Sequence, residues 1–496
     1  MTLSSAGAIA NQSLGALASQ INIVSRNISG VNVSGYAAKT ALLSTGFNGG
    51  VLIDGVARAT NSALFQNSLQ AASAEAASSA LSAGLDQIDR SLSLSSGTAT
   101  DTSTTRSPAA LISDLSSALQ SYSASPSDRT AAQAVLASAD ALVQSLNDAT
   151  TAVQEVRRQA DSDIAASVAN INSLLSEFEK VNSDIVAGSQ AGRDVTDSLD
   201  TRDALLAKLS VEIGVTTVTR PNNDMVIYTD SGATLFETTP RKVGFQQIGA
   251  YVGATVGNAV YVDGVQVTGS SAPMPIQSGK LYGATELRDV VAPQFQKQLD
   301  ETARGLIVAF SETDQTGASS ASVPGLFTFP GATTTPSVGV IEGLAGQIAI
   351  NANVDPSRGG DIDLLRDGGI SDPADPVYRY NATDAAGYSA RIRQLVSTLA
   401  EPQTFDPNAE LGSPQSVTSY ATSSIGWFGA QRRQATNAAS YQATLSSQTA
   451  QALSNATGVN LDEQMSKMLD LENSYQASAK LLAAVDAMYA ALFQAL

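Results

Sequence analysis

Residues 460–496 read NLDEQMSKMLDLENSYQASAKLLAAVDAMYAALFQAL. Counting heptads backward from the end puts Leu461, Met468, Tyr475, Leu482, Tyr489 and Leu496 on one row, with Leu471, Val485 and Leu492 on the adjoining row. Two adjacent apolar rows of period 3.5 are the seam of a helix that packs lengthwise on other helices. Asn460 stands where its side chain can accept from first-turn amides, and Asp462 and Glu463 follow at the positive end of the helix dipole. The spacing predicts a helix roughly 50 Å long, more than a compact domain encloses.

The opposite end of the chain repeats the pattern. Leu3, Ala10, Leu17 and Val24 form one row, and Leu14, Ile21 and Ile28 form the next. This helix should end at Ser29-Gly30, and Val31 to Tyr36 reads as a turn-rich connection because Gly and Asn accept positive φ. Only Arg26 and Lys39 are charged between Met1 and Ile53, and nothing is charged between Gln434 and Leu461. Helices with so little charge leave apolar surface uncovered, so both ends are expected to pack on each other and on other subunits.

Composition narrows the chemistry. The 496 residues include no Cys and no His, which removes disulfides, thiolate nucleophiles, imidazole bases and Cys/His zinc sites. The net charge of −18 argues against nucleic acid and against anionic membrane surfaces. The start, MTLSSAGAIANQSLG, has no positive segment followed by an unbroken apolar run, so no cleaved leader is expected.

Leu64 to Leu94 and Pro108 to Ile185 read as Ala/Ser-rich helices, interrupted by Ser95–Thr105 and by Ser125-Pro126-Ser127-Asp128. Ile164, Val168, Ile171, Leu175, Phe178 and Ile185 predict a long rod-like helix. From Ile213 the period becomes 2, and Asp263-Gly264 reads as a hairpin turn. Helix is expected again from Glu286 to Phe310, followed by a turn-dense stretch with a short strand candidate at Gln347–Ala352. From Ser389 the pattern is helical again, apart from a loop at Glu401–Pro414.

The fold class is therefore mainly α with inserted β: long terminal helices pairing as a coiled coil or bundle, an α-rich middle and a central antiparallel β region. The expected division is 1–45 with 455–496 as a terminal assembly domain and 46–212 with 282–317 and 389–454 as an α-rich rod. Residues 213–281 would form a small β region, and 318–388 a variable outward region.

Three groups of residues invite chemical readings. Asp197, Asp200 and Asp203 recur every three residues around Arg202, a spacing that could supply an acid and a base but ordinarily gives a solvated or Arg-paired cluster near a helix start. Asp355, Asp361 and Asp363 could surround a hard cation, yet Arg358 lies within the loop and the order matches no EF-hand. Trp427 reads as a packing anchor.

The termini resemble the bacterial flagellar axial family of rod, hook and hook-associated proteins. Asn27-Ile28-Ser29-Gly30-Val31-Asn32-Val33-Ser34-Gly35-Tyr36 resembles that family's N-I-A-N-x-N-T-x-G-Y element through Asn27, Ile28, Asn32, Gly35 and Tyr36. Gly30 departs from it in place of the second Asn. Gly458 to Met465 and Tyr475 to Lys480 are similar to its G-V-N-L-D-E-E-M and Y-x-A-x-A-K segments, with Glu472-Asn473 departing from the usual glutamine-rich lead. Asp200 to Ser210, Ser278 to Ala284, Leu287-Arg288-Asp289 and Leu299-Asp300 resemble the hook-associated members in particular.

The resemblance implies a non-enzymatic, cofactor-free structural subunit outside the cell at the hook–filament junction. Export would run through the flagellar type III apparatus. Its implied partners are copies of itself, the hook protein, a second hook-associated junction protein and an export chaperone on the C-terminal segment, with no nucleic acid or membrane. The implied packing residues are the seam positions above together with Asn27, Asn32, Gly35 and Tyr36. Two alternatives stay open at this point: a hook or distal-rod protein, and a glycan hydrolase working through Asp200 and Asp203.

Overall fold

The structure is a computed structural model, and it describes residues 3–33, 35–46, 49–92, 107–317 and 321–494. Helix α1 (Leu3–Gly30) leads into a hairpin of β1 (Lys39–Thr45) and β2 (Val51–Arg58). Three helices build the rod: α2 (Ser62–Leu92), α3 (Pro108–Ala124) and α4 (Arg129–Gln190). The break between α3 and α4 falls at the expected Ser-Pro-Ser-Asp, where Asp128 accepts from the Thr130 amide at 2.8 Å and starts α4. With 62 residues, α4 is about 93 Å long at 1.5 Å per residue. Its buried row includes Val135, Leu142, Ala149, Ile164, Ile171, Phe178 and Ile185.

Helix α5 (Thr196–Glu212) turns back along α4 and opens the β region. Strands β3 (Val215–Thr219), β4 (Met225–Thr229), β5 (Thr234–Glu237) and β6 (Thr239–Pro240) form one antiparallel sheet in sequence order. A second sheet joins β7 (Val243–Gly244), β8 (Tyr261–Val262) and β9 (Val265–Gln266). Asp263 (φ 49°) and Gly264 (φ 83°) make the two-residue turn between β8 and β9, as their spacing predicts. Edge-to-face packing of Phe178 on Phe236, at 4.9 Å between centroids, fixes the first sheet to α4.

The next helix begins earlier than Glu286. Helix α6 (Lys280–Glu286) passes through a wide π turn at Leu287–Val291 into α7 (Ala292–Ala309). Pro293 has no N–H to return to the preceding turn, and the Ala292 amide bonds Leu287 O five residues back. Beyond it, β10 (Phe327–Thr328) pairs with β11 (Ala349–Ile350), inside the predicted strand candidate. The short α8 (Leu364–Asp367), α9 (Ala390–Ala400) and α10 (Val417–Thr457) precede α11 (Leu461–Gln494). One continuous apolar core runs through α2, α3, α4, α7, α9 and the first part of α10, with Phe295 stacked on Phe428 at 4.6 Å.

Two expectations need correction. The 39–58 hairpin has no counterpart in the sequence reading, and the domain join placed at residue 45 cuts through it. The helix at 286 starts six residues sooner because Gly279 (φ 92°) lets the chain turn directly into it. Among the described residues, no helix is long and apolar enough to cross a membrane.

Candidate assembly site

Helices α1 and α11 pair antiparallel. Asn27 of α1 meets Gln464 near the start of α11, and Gly7 lies against Val485 near its end, where a β-carbon would stand 3.5 Å from Val485 Cγ1. Asn460 caps α11 as its sequence position predicts, accepting from the Asp462 amide at 3.1 Å.

The structure separates the predicted seam into two sets. On α11 the buried positions are Leu471, Val485 and Gln464, with Met468, Leu482 and Tyr489 half-buried beside them. Leu461, Tyr475 and Leu492 remain exposed. On α1, Val24 and Asn27 are buried, Leu3, Leu14, Leu17, Ile21, Ile28 and the following Tyr36 are half-buried, and Asn32 and Gly35 are exposed. Leu496 lies outside the described residues. Met465, Leu469, Leu481, Met488 and Phe493 add further exposed apolar side chains on both flanks of the buried α11 row.

Asn27 holds the base of this helical pair. Its Nδ2 donates to Lys39 O (2.8 Å) and Gln464 Oε1 (2.9 Å), and its Oδ1 accepts from the Lys39 amide (2.9 Å) and the Tyr36 hydroxyl (3.1 Å). All four bonding positions of a fully buried amide are thereby filled, which ties α1, the turn, β1 and α11 to one side chain. Gly30 is needed because the Tyr36 ring lies directly on it: a β-carbon would come within 2.7 Å of the ring.

The three cations of the first 58 residues all turn toward α5. Arg26 Nη2 meets Asp197 Oδ2 at 2.5 Å, and Arg26 Nη1 lies 3.6 Å from Asp194. Lys39, whose side chain is completely buried, bonds Asp197 and reaches Asp200 Oδ2 at 3.0 Å, with its ammonium 4.4 Å from the centre of the Tyr36 ring. Arg58 bridges Asp200 (2.9 Å) and Asp203 (2.6 Å).

Burial raises Asp197, but hydrogen bonds from Lys39 and Arg26 outweigh it and hold the carboxyl below its usual range. At Asp203, burial outweighs Arg58 and raises the carboxyl. Burial disfavours the Lys39 ammonium, yet Asp197 and Asp200 more than compensate and raise it. Arg202 turns the other way, to Asn182 Oδ1 and Asn223 O.

These carboxylates are thus occupied as a clamp between the terminal helices and the rod. The sequence leaves the Asp cluster either solvated or Arg-paired; the structure shows it ion-paired, with partners the sequence does not name, above all Arg58. A usable signal existed: isolated cations in a charge-poor segment require carboxylates elsewhere.

The Asp355 loop is likewise occupied. Asp355 caps Ser357 and pairs with Arg358 at 2.7 Å, while Asp361 and Asp363 face Arg129 at 3.4 and 3.5 Å. Among the described residues, no group of three or more acidic side chains could hold a metal ion. Trp427 is half-buried against the core.

The site thus consists of paired terminal helices, exposed apolar side chains on one of them and an ionic joint to a helical rod with β insertions. A family model described as flagellar hook-associated protein FlgK helical domain matches residues 85–329, and one described as flagellar basal body rod FlgEFG protein C-terminal matches residues 450–495. Flagellar hook-associated protein 1 of Escherichia coli strain K12 is 28% identical over 322 residues, which cover 61% of this chain and 56% of that protein. That of Bacillus subtilis strain 168 is 22% identical over 392 residues, covering 74% of this chain and 72% of the relative. The match therefore spans little more than half of the E. coli relative's length.

A solved structure of the flagellar hook junction protein FlgK from Burkholderia pseudomallei shares the fold, with a TM-score of 0.56 at 14% identity, covering 78% of this chain and 99% of that one. The chain is thus similar to flagellar hook-associated protein 1 along its helical rod and to flagellar basal body rod proteins at its C-terminal segment.

Proposed function

We propose that this protein is a structural subunit of the hook–filament junction, secreted through the flagellar export apparatus and assembled outside the cell, and that it catalyses no reaction. The observation that carries this reading is the double use of α11: Leu471 and Val485 are buried with the α1–α11 pairing, while Leu461, Leu481, Met488 and Leu492 stay exposed on the same helix. Each such side chain gains about 1.5–3 kcal/mol when fully buried, so a few contacts with a neighbouring subunit suffice for assembly.

In this reading, copies of the chain form a layer that meets the hook protein on one side and a second hook-associated protein on the other. A chaperone covers the α11 segment before export, since that apolar surface would otherwise aggregate. With the hairpin reassigned, the terminal assembly domain comprises 1–58 and 455–496. The rod comprises 59–212, 282–317 and 389–454, with 213–281 as the β region and 318–388 as an outward region.

Deletion of 460–496, scored for motility, hooks and flagellin together, tests the proposal. The expected outcome is loss of motility with intact hooks and with flagellin released to the medium. Retained filaments would refute it.

A further inference from the structure

An open groove of about 580 Å³ lies on the middle of the molecule, away from the terminal helices and the ionic clamp. Its floor is one face of the α6–α7 segment, where Tyr282, Glu286, Val290, Pro293 and Lys297 recur every three or four residues. The π turn lies within this face, a feature that recurs at functional sites in helices.

One wall is the loop Gly253–Gly257, and its position is fixed. Arg157 donates to the carbonyls of Val252 (3.4 Å) and Thr255 (2.5 Å). Gly253 abuts the Gly343 backbone, where a β-carbon would come within 2.4 Å. Gly257 abuts Arg288 and Asp289 equally closely, and Arg288 is itself anchored on buried Asp161 at 2.6 Å. Between these two fixed points Val256 stands 84% exposed, and Val290, also exposed, lines the same groove. A rigid loop presenting a bare valine to a groove is a preorganised apolar contact.

The charges of the groove are unbalanced. Four carboxylates line it (Glu286, Asp289, Asp300 and Glu342), against Arg157 and Lys297. Arg157 is committed to loop carbonyls, Asp289 is paired with Arg288 at 2.7 Å, and Asp300 accepts two backbone amides. Glu286 has no such partner among the described residues. It is half-buried, and burial, reinforced by Asp289, raises its carboxyl above the usual range. A half-buried carboxylate one helical turn from the Tyr282 ring is the pairing that recognises an ammonium or guanidinium group.

We propose that this groove docks an exposed, extended segment of another protein, which places an Arg or Lys side chain against Glu286 and Tyr282 and small aliphatic side chains against Val256 and Val290. The volume fits a few residues of chain, and the excess of carboxylates supplies the charge complementarity. None of these residues belongs to the terminal helices, so the proposal and the assembly reading stand or fall separately.

The test uses the full chain and two fluorescein-labelled peptide amides, Gly-Ala-Val-Arg-Val-Ala and its counterpart with Gln in place of Arg, followed by anisotropy. The arginine peptide is expected to bind at least tenfold more tightly than the glutamine peptide. Glu286→Gln and Val256→Lys should each weaken it at least tenfold, while the glutamine peptide no longer distinguishes wild type from Glu286→Gln. Val256→Lys changes an exposed side chain and should melt with the wild type, so its effect reports on the groove and not on folding.

Absence of saturable binding, equal binding of the two peptides, or variants that bind like the wild type would each overturn the proposal. So would displacement of the peptide by an equal concentration of argininamide, which would make the site one for small cations. Self-association of the chain through Glu286 without peptide binding would make the occupant a second copy, and would overturn it too.

Discussion

Asp300 lies buried in α7, where it accepts from the amides of Gly343 (2.8 Å) and Ala345 (2.9 Å) and from Gln296 (2.9 Å). Burial nevertheless outweighs these three donors and pushes its carboxyl up to about 6. An unfolded Asp titrates near 4, so the folded chain holds this proton more tightly than the unfolded chain does. The resulting stabilisation is complete below about pH 4 and is lost as pH rises through about 6, by on the order of 3 kcal/mol. Urea midpoints of the wild type should therefore fall relative to those of Asp300→Asn between pH 4 and 7. The variant loses an acceptor, and with it some stability at every pH, but also the slope. Parallel profiles for the two proteins would show that Asp300 stays ionised throughout. Asp197 works in the opposite sense: its lowered carboxyl adds stability that is present above about pH 4 and disappears only in stronger acid.

The hairpin β1–β2 and helix α5 meet through charges that neither element can satisfy alone. Lys39→Met would keep the unbranched apolar stem of the buried side chain while removing the ammonium between Asp197 and Asp200. Asp197 then keeps only Arg26 and Asp200 only Arg58, and losing the charge-assisted bonds of the buried ammonium should cost about 3 kcal/mol locally. Amide exchange over α1 and α11 should accelerate roughly a hundredfold, while the melting of the α2–α4–α10 core stays in place; unchanged exchange would show that the clamp does not hold the termini. The hairpin also shows why some elements were legible and others were not. The α3–α4 break could be read because Pro126 and Asp128 act locally, and α11 because its period and its Asn460 cap agree. The β1–β2 pair could not, because its register shifts between Leu42 and Leu43. That irregularity exchanges the two faces and erases the alternation by which a strand is recognised. The early start of α6 was hidden for a related reason: a Gly at positive φ and an interior proline both read as breaks, yet one opens the helix and the π turn absorbs the other.

Across the whole molecule, the candidate site was legible in kind and not in detail. The sequence pattern marks two adjacent apolar rows on α11, but nothing local tells which positions of either row face α1. Only the antiparallel pairing of residues hundreds of positions apart separates Leu471 and Val485, which face inward, from Leu461 and Leu492, which do not. The partners of Asp200 and Asp203 were unreadable for the same reason: Arg58 lies 142 residues before the first of them. This division of α11 makes a prediction with opposite outcomes on one helix. Leu481 and Leu492 are more than half exposed, so Leu481→Asp with Leu492→Asp should leave unfolding within about 0.5 kcal/mol of the wild type. Leu471 is buried, so Leu471→Asp places a charge in the α1–α11 contact and should unfold the terminal pair while the rod stays folded. Sedimentation at rising concentration should show association in the wild type and its loss in the double variant. If the double variant associates as the wild type does, the exposed flanks of α11 are not the contact between subunits, and the assembly surface must be sought elsewhere on the terminal domain.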